Sequence, residues 1–183
     1  MIEYMKDLIK VEHHITISSQ VTKYIVNQLC YISQFYEQEK CNGAYYKLEE
    51  RNQEIYIKEP RIKCPEILFR PEINSQTSQF KGIQYYLLDS INKCDKELKN
   101  EFLKNIVLTG VNSKISGLKE RLRREICSNL NLSESEVEIT INEKGVQQGL
   151  KTLFSDPVFE QMWMTKEEYE DYYGASIIKY KSF

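Results

Sequence analysis

The stretch NIVLTGVNSKISGLKERLRREI, Asn105 to Ile126, holds the residue types best suited to chemistry in this chain. A short apolar run leads into Gly110, then the small polar Asn112 and Ser113, then Gly117 ahead of an amphipathic segment. Glycine lets a backbone turn sharply and approach a ligand closely. The first N–H groups of a helix lack partners and lie at the positive end of its dipole. Together these make a place to hold an anion, phosphate above all. Spacing alone more often marks an ordinary strand-to-helix connection.

The other reactive residue types point to less. Cys30, Cys41, Cys64, Cys94 and Cys127 are odd in number, irregularly spaced and without a C-x-x-C pair, which argues against a disulfide framework or a zinc site. His13 and His14 are adjacent, so their side chains point in different directions and do not share a metal unaided; both are expected at the surface or in a loop. Lys119, Arg121, Arg123 and Arg124 alternate with Glu120 and Glu125, the pattern of a solvated helix face. Glu167, Glu168, Glu170 and Asp171 read as another charged helix face rather than a paired-carboxylate active site.

The elements that position these residues follow from periodicity. Ile2 to Ile9 predicts a short helical end. Ser18 or Ser19 is a fitting N-cap for a long helix to about Glu39, with Val21, Ile25, Cys30, Ile32 and Phe35 as its apolar stripe. From Ala44 the period changes to two, and YYKLEE, a turn at Arg51–Gln53 and EIYIKE make a hairpin. Pro60, Pro65 and Pro71 predict extended or turn structure for RIKCPEILFRPEIN, because proline pushes the residue before it out of the helical region. A polar loop, Asn74 to Gln79, follows. GIQYYLLDSINKC and KELKNEFLKN read as helices, NIVLTG as a strand, and SGLKERLRREICSNL as a helix with Leu118, Leu122, Ile126 and Leu130 on one face. VEITIN is a further strand. Helix resumes around Val146 to Ser155, and the tail carries a capping-box pattern, Thr165 with Glu168, and a stop at Gly174. Strand followed by helix predicts an α/β layer.

With 183 residues the chain suffices for one ordinary domain or two small lobes. Its 25 Lys and Arg against 27 Asp and Glu leave no positive excess for nucleic acid or an acidic membrane surface. The longest uncharged stretch, Tyr24 to Tyr36, is too short and too polar to span a bilayer, and the opening MIEYMKDLIK lacks the apolar run of a secretory signal. A cytoplasmic or nuclear location is expected.

RIKCPEILFRPE, GIQYYLLDSINKCD, NIVLTGVNSKISGLKERLRREI and FEQMWMTKEEYEDYYGASIIKYKSF, in this order and with LCYI at Leu29–Ile32 in register, resemble the C-terminal half of actin and the actin-related proteins over nearly the whole chain. The resemblance implies a partial actin-like ATPase fold of α/β class: the large-lobe half with its helix-and-hairpin subdomain, plus C-terminal tail helices. Within 1–183 it implies a helix-plus-hairpin appendage at 18–71, an α/β lobe at 72–150 and a helical tail at 151–183. The family's two phosphate-binding hairpins would precede Met1, so the expectation is no catalytic residue, no metal ligand and no ATP hydrolysis by this chain alone.

The family's adenosine loop maps onto Thr109 to Gly117 and keeps its first and last glycines, with Val111 in place of the second. Gly110, Asn112, Ser113 and Lys144 are thus the candidates for a degenerate ATP contact, ATP being implied by resemblance only; Lys144 fits with a one-residue shift. The charged pair that clasps the purine falls on Val26 and Asn27. A family glycine is also lost in Gln147–Lys151, so the resemblance favours no bound cofactor. Leu153, Val158, Phe159 and Met162 map onto an apolar cleft for partner helices, with Asp156 replacing a leucine; since the lobe completing that cleft would precede Met1, the same residues equally fit an orphaned core. The function implied is a structural, cytoskeletal or complex-scaffolding module with protein partners, actin or a larger actin-related assembly. The alternative is a truncated or incompletely predicted ATP-binding cytoskeletal protein. NIVLTG and VEITIN are expected to have lost neighbouring strands lying before Met1, which leaves open edges and an apolar patch including Trp163.

Overall fold

The computed structural model describes residues 1–171, and these divide into two compact units, Met1–Glu143 and a second beginning at Lys144. The fold is α/β.

The first unit is built around two apolar clusters. One gathers α1 (Ile2–His13), α2 (Ser19–Leu29), the antiparallel hairpin β1 (Ala44–Leu48) and β2 (Gln53–Ile57), and α3 (Pro60–Glu66) around Met5, Ile9, Ile25, Val26, Ile55, Ile57 and Cys64. Helix α1 runs four residues beyond Ile9 and ends at His14 in the left-handed region, φ 56°. His14 is exposed and His13 half-buried. Ser18 caps α2, its hydroxyl accepting from the Val21 N–H at 3.3 Å. The hairpin pairs Ala44 with Ile57 and Leu48 with Gln53, Asn52 turning at φ 44°. Alternation places Ile55 and Ile57 inside and Tyr56 outside, as the period of two requires.

Two expectations are overturned around this cluster. The long helix to Glu39 stops at Leu29. Cys30 is extended (ψ 148°), and Tyr31 bridges Ser116 in parallel while the Ile32 N–H donates to the Ser116 carbonyl at 2.8 Å. Cys30 and Ile32 are both buried, but at the spacing of a strand rather than a helix, and Phe35 is 59% exposed. The first part of the proline segment, by contrast, is the helix α3, and only residues 67–74 keep the turns read from its prolines. Pro60 occupies the first turn of α3, where a missing N–H costs nothing. Pro65 removes the bond that would reach the Arg61 carbonyl. That carbonyl accepts the Tyr31 N–H at 3.2 Å.

The other cluster joins α4 (Ile83–Asn92), α5 (Lys99–Lys104), β3 (Ile106–Leu108), α6 (Leu118–Leu130) and β4 (Ile139–Ile141). Leu118, Leu122 and Ile126 are buried along α6 and Leu130 packs beside them, the stripe read from the sequence. Strands β3 and β4 pair with each other in parallel, Ile106 opposite Ile139 and Leu108 opposite Ile141. The lost-neighbour expectation left this mutual pairing out; Val107 is 58% exposed and Ile141 46%.

Arg121 is not on a solvated face. It is 5% exposed and faces a fully buried Glu66, with Nη2 at 3.0 Å and Nη1 at 3.2 Å from its carboxylate. Its Nη1 also donates to the Ser33 carbonyl at 2.7 Å and its Nε to Glu125 at 2.6 Å. Charge alternation along a helix fixes neither which face is inside nor which partner waits there.

In the second unit, α7 (Gly145–Phe154) is followed by a short 3-10 stretch, Pro157–Met162, and α8 (Lys166–Asp171). The Tyr169 N–H donates to the Thr165 carbonyl at 3.0 Å, so α8 starts where the capping pattern placed it. The Glu168 side chain and Gly174 lie outside the described residues. No described helix is long and apolar enough to cross a membrane.

Candidate functional site

Strand β3 delivers the chain to Gly110, whose φ of 86° and ψ of 176° belong to a region only glycine enters readily. A Cβ there would meet nothing within 4 Å, so conformation alone requires glycine. A tight turn over Val111–Lys114 follows. Ser113 is buried; its hydroxyl donates to the Gly110 carbonyl at 2.7 Å and its N–H to the same oxygen at 3.1 Å. Asn112 is exposed and Val111 is 54% exposed.

Gly117 opens α6 with φ 84°. A Cβ on it would lie 2.1 Å from the Ile32 carbonyl oxygen, and Gln34 Nε2 donates to its carbonyl at 3.2 Å. The close approach that glycine permits is therefore occupied by the chain itself. Together with the Tyr31–Ser116 bridge, these contacts join the end of α2 to the start of α6.

Beside this junction lies a cavity of about 630 Å³, lined among others by Tyr31, Ser33, Glu39, Lys114, Glu120 and Glu143. Several of its polar groups pair with one another. Glu39 accepts from the Ser33 hydroxyl at 2.9 Å and the Tyr31 hydroxyl at 3.3 Å, and Lys114 pairs with Glu143 at 2.5 Å. Burial, with Cys41 and Glu39 alongside, raises the Tyr31 phenol. Three carboxylates, Glu39, Glu120 and Glu143, face two ammonium groups, Lys114 and Lys119, a balance unfavourable to a polyphosphate.

The sequence-derived loop residues divide between the units. Gly110, Asn112 and Ser113 share one turn of the first. Lys144 is the N-cap of α7 in the second, its carbonyl accepting from Gln148 N–H at 2.8 Å. Val26, at the position of the family's purine-clasping charge, is 3% exposed within the core. Among the described residues no group of three or more His, Cys, Asp or Glu could hold a metal. All five cysteines are free thiols, Cys94 alone exposed.

The second candidate site is apolar. Leu153 is 41% exposed and Val158 57% exposed. Phe159, half-buried, meets Phe154 edge-on at 4.9 Å between ring centroids and Trp163 at 5.8 Å. The Met162 side chain lies outside the described residues. Asp156 accepts the Val158 N–H at 2.9 Å, a local turn contact that explains a carboxylate in this strip. Val146, Leu150 and Phe154, exposed at four-residue steps along α7, extend the surface beyond the residues read from sequence. Their spacing was the signal available. The Arg121–Glu66 pair was also missed, and its only trace in the sequence is a lone carboxylate in the otherwise apolar run CPEILF.

The architecture is thus an α/β unit whose parallel strand pair feeds a glycine-bounded loop and helix, accompanied by a helical unit with an apolar face. The chain belongs to the actin family: the sequence model of that family, described as Actin, matches residues 5–183.

Proposed function

We propose that this chain is a structural module of the actin family that works through protein partners and neither holds nor hydrolyses ATP by itself. One observation carries the reading: the groups that would meet a nucleotide are engaged by the fold. Gly117 takes the Ile32 carbonyl, Ser113 closes on Gly110, and Lys114 pairs with Glu143. Val111 adds a branched side chain where close backbone approach is needed. Val26 offers no polar atom, so the adenosine side does not fit its family ligand.

The surface left for function is apolar. Leu153, Val158 and Phe159, with Met162 at the same stretch, form the candidate partner site, and an amphipathic helix is the complementary shape. Actin itself or a larger actin-related assembly in the cytoplasm, or in the nucleus, is the partner class that family membership favours. Asp156 argues against ordinary incorporation into actin filaments, and stoichiometric co-sedimentation with polymerising actin would overturn that part.

The positive φ kept at both Gly110 and Gly117 favours a second reading, an ATP-binding cytoskeletal protein of which this chain is a part. Thermal unfolding with and without Mg-ATP separates the two. A ligand at about a hundred times its Kd adds roughly 2.7 kcal/mol to a folded state that binds it. No shift on a cooperative transition is expected; a clear upward shift would replace the first reading by the second.

A further inference from the structure

Serine precedes glutamine four times in this chain: Ser19–Gln20, Ser33–Gln34, Ser75–Gln76 and Ser78–Gln79. The fold treats them unequally. Ser33 is 3% exposed and donates to Glu39, and Ser19 lies in the first turn of α2, its hydroxyl accepting from Lys6 at 2.7 Å. Ser75, Gln76, Ser78 and Gln79 are all exposed in the polar loop between Pro71–Ile73 and α4.

That loop hangs between fixed posts. Pro71 is buried at one end. At the other, the Ile83 N–H donates to the Leu68 carbonyl at 2.8 Å, and a Cβ on Gly82 would lie 2.1 Å from the Phe69 carbonyl. Inside, the Asn74 carboxamide accepts the Gln76 N–H at 3.1 Å and the Ser78 hydroxyl donates to the Ser75 carbonyl at 3.0 Å. Its contacts to the posts are few: Thr77 Oγ1 and the Asn74 N–H both donate to the Pro71 carbonyl, at 2.7 and 3.2 Å, and the Lys81 N–H donates to the Tyr86 hydroxyl at 3.4 Å. These bonds are local and, the half-buried Thr77 hydroxyl apart, solvent-exposed, and such bonds open at low cost. Extended at about 3.3 Å per residue, the segment from Asn74 to Lys81 has the reach to lie along an enzyme cleft without unfolding either post.

We propose that the Asn74–Gln79 loop is a phosphorylation site for a serine/threonine kinase that selects glutamine immediately after the acceptor, with Ser78 and Ser75 as acceptors. Neither serine is followed by proline, neither has a basic residue within three positions before it, and neither has an acidic residue within three positions after it. The amide at the next position is the recognition feature both share. In the transfer, the serine Oγ forms a bond to the γ-phosphorus of ATP, the bond from that phosphorus to the β-phosphate oxygen breaks, the hydroxyl proton passes to the kinase's base, and ADP leaves. The product carries about two negative charges near Lys81, whose ammonium now lies 3.6 Å over the Tyr85 ring.

The test is to incubate the whole chain with Mg-ATP and the purified catalytic subunit of the DNA-dependent protein kinase, which selects serine followed by glutamine, and to map phosphate by mass spectrometry. Incorporation is expected at positions 75 and 78 and not at 19 or 33. Ser75→Ala with Ser78→Ala abolishes it. Gln76→Ala with Gln79→Ala, which keeps both hydroxyls, lowers it by about tenfold or more, the worth of one good hydrogen bond. These side chains are exposed, so unchanged thermal unfolding of each variant confirms its fold. Absence of incorporation, equal incorporation without the glutamines, or equal labelling of Ser19 and Ser33 would each overturn the proposal.

Discussion

At the scale of single residues, the two glycines of the loop have different reasons to be glycine, and substitution separates them. Gly110→Ala meets open space and carries only the strain of its backbone region, about 1–3 kcal/mol. Gly117→Ala combines a left-handed φ, at about 1–2 kcal/mol, with a Cβ 2.1 Å from the Ile32 carbonyl. It is expected to lose more stability than Gly110→Ala in urea unfolding; equal losses would mean that the Ile32 backbone moves aside freely. Ser133 and Glu136 make a reciprocal cap ahead of β4. The Ser133 hydroxyl and N–H hold the Glu136 carboxyl below the usual carboxylate range. A carboxyl depressed in the folded state stabilises above its unfolded pKa, and this is lost as pH falls through the folded value. Glu125 behaves alike, its hydrogen bonds to Arg121 and Arg124 outweighing the burial that opposes them, whereas burial pushes Glu66 the other way despite Arg121. Ser133→Ala removes the hydroxyl's share of the Glu136 effect, keeps the N–H's and leaves Glu125 untouched. Its stability should therefore fall less steeply than the wild type's as pH drops below about 4.3, measured by urea unfolding across the acid range.

At the scale of elements, the Arg121–Glu66 pair ties α6 to α3 within the first unit. Arg121→Met leaves a fully buried carboxylate without its partner and is expected to cost about 3–5 kcal/mol. The double variant Glu66→Leu with Arg121→Leu should recover most of that loss, because the cost is an uncompensated charge rather than the pair itself; a double variant as unstable as the single would refute this. This pair also marks the limit of what the chain's wording discloses. Helices α4 and α6, the hairpin, β3 and β4 were legible because each repeats its apolar residues at its own period. Helix α3 was hidden because its prolines argue locally against helix, and only the Tyr31 N–H, thirty residues away, shows where the freed Arg61 carbonyl turns. The end of α2 was misplaced because Cys30 and Ile32 serve a strand through pairing with Ser116. Of the candidate site, the glycines and their turn were legible in advance; the Ile32 backbone against Gly117 was not, since a contact between distant segments leaves no periodic trace.

At the scale of the whole molecule, apolar surface is open on both units. Parallel strands are ordinarily covered on both faces, yet Val107 and Ile141 are about half exposed, and Val146, Leu150, Phe154 and Val158 line the second unit. Purified alone, the chain is expected to self-associate with rising concentration in sedimentation velocity. Leu150→Glu with Phe154→Glu should reduce this without lowering the unfolding midpoint; unchanged association would place the sticky surface elsewhere. The vacated Arg61 carbonyl has a last consequence. The amides of Tyr31 and Ile32 are bonded in succession to α3, beside one apolar cluster, and to Ser116, beside the other. Neither can meet solvent deuterium unless one of these anchors lets go. Two neighbouring amides thus act as built-in reporters: if they exchange at one shared rate, the two halves of the first unit open together, and if Tyr31 exchanges ahead of Ile32, the helix-and-hairpin half opens first.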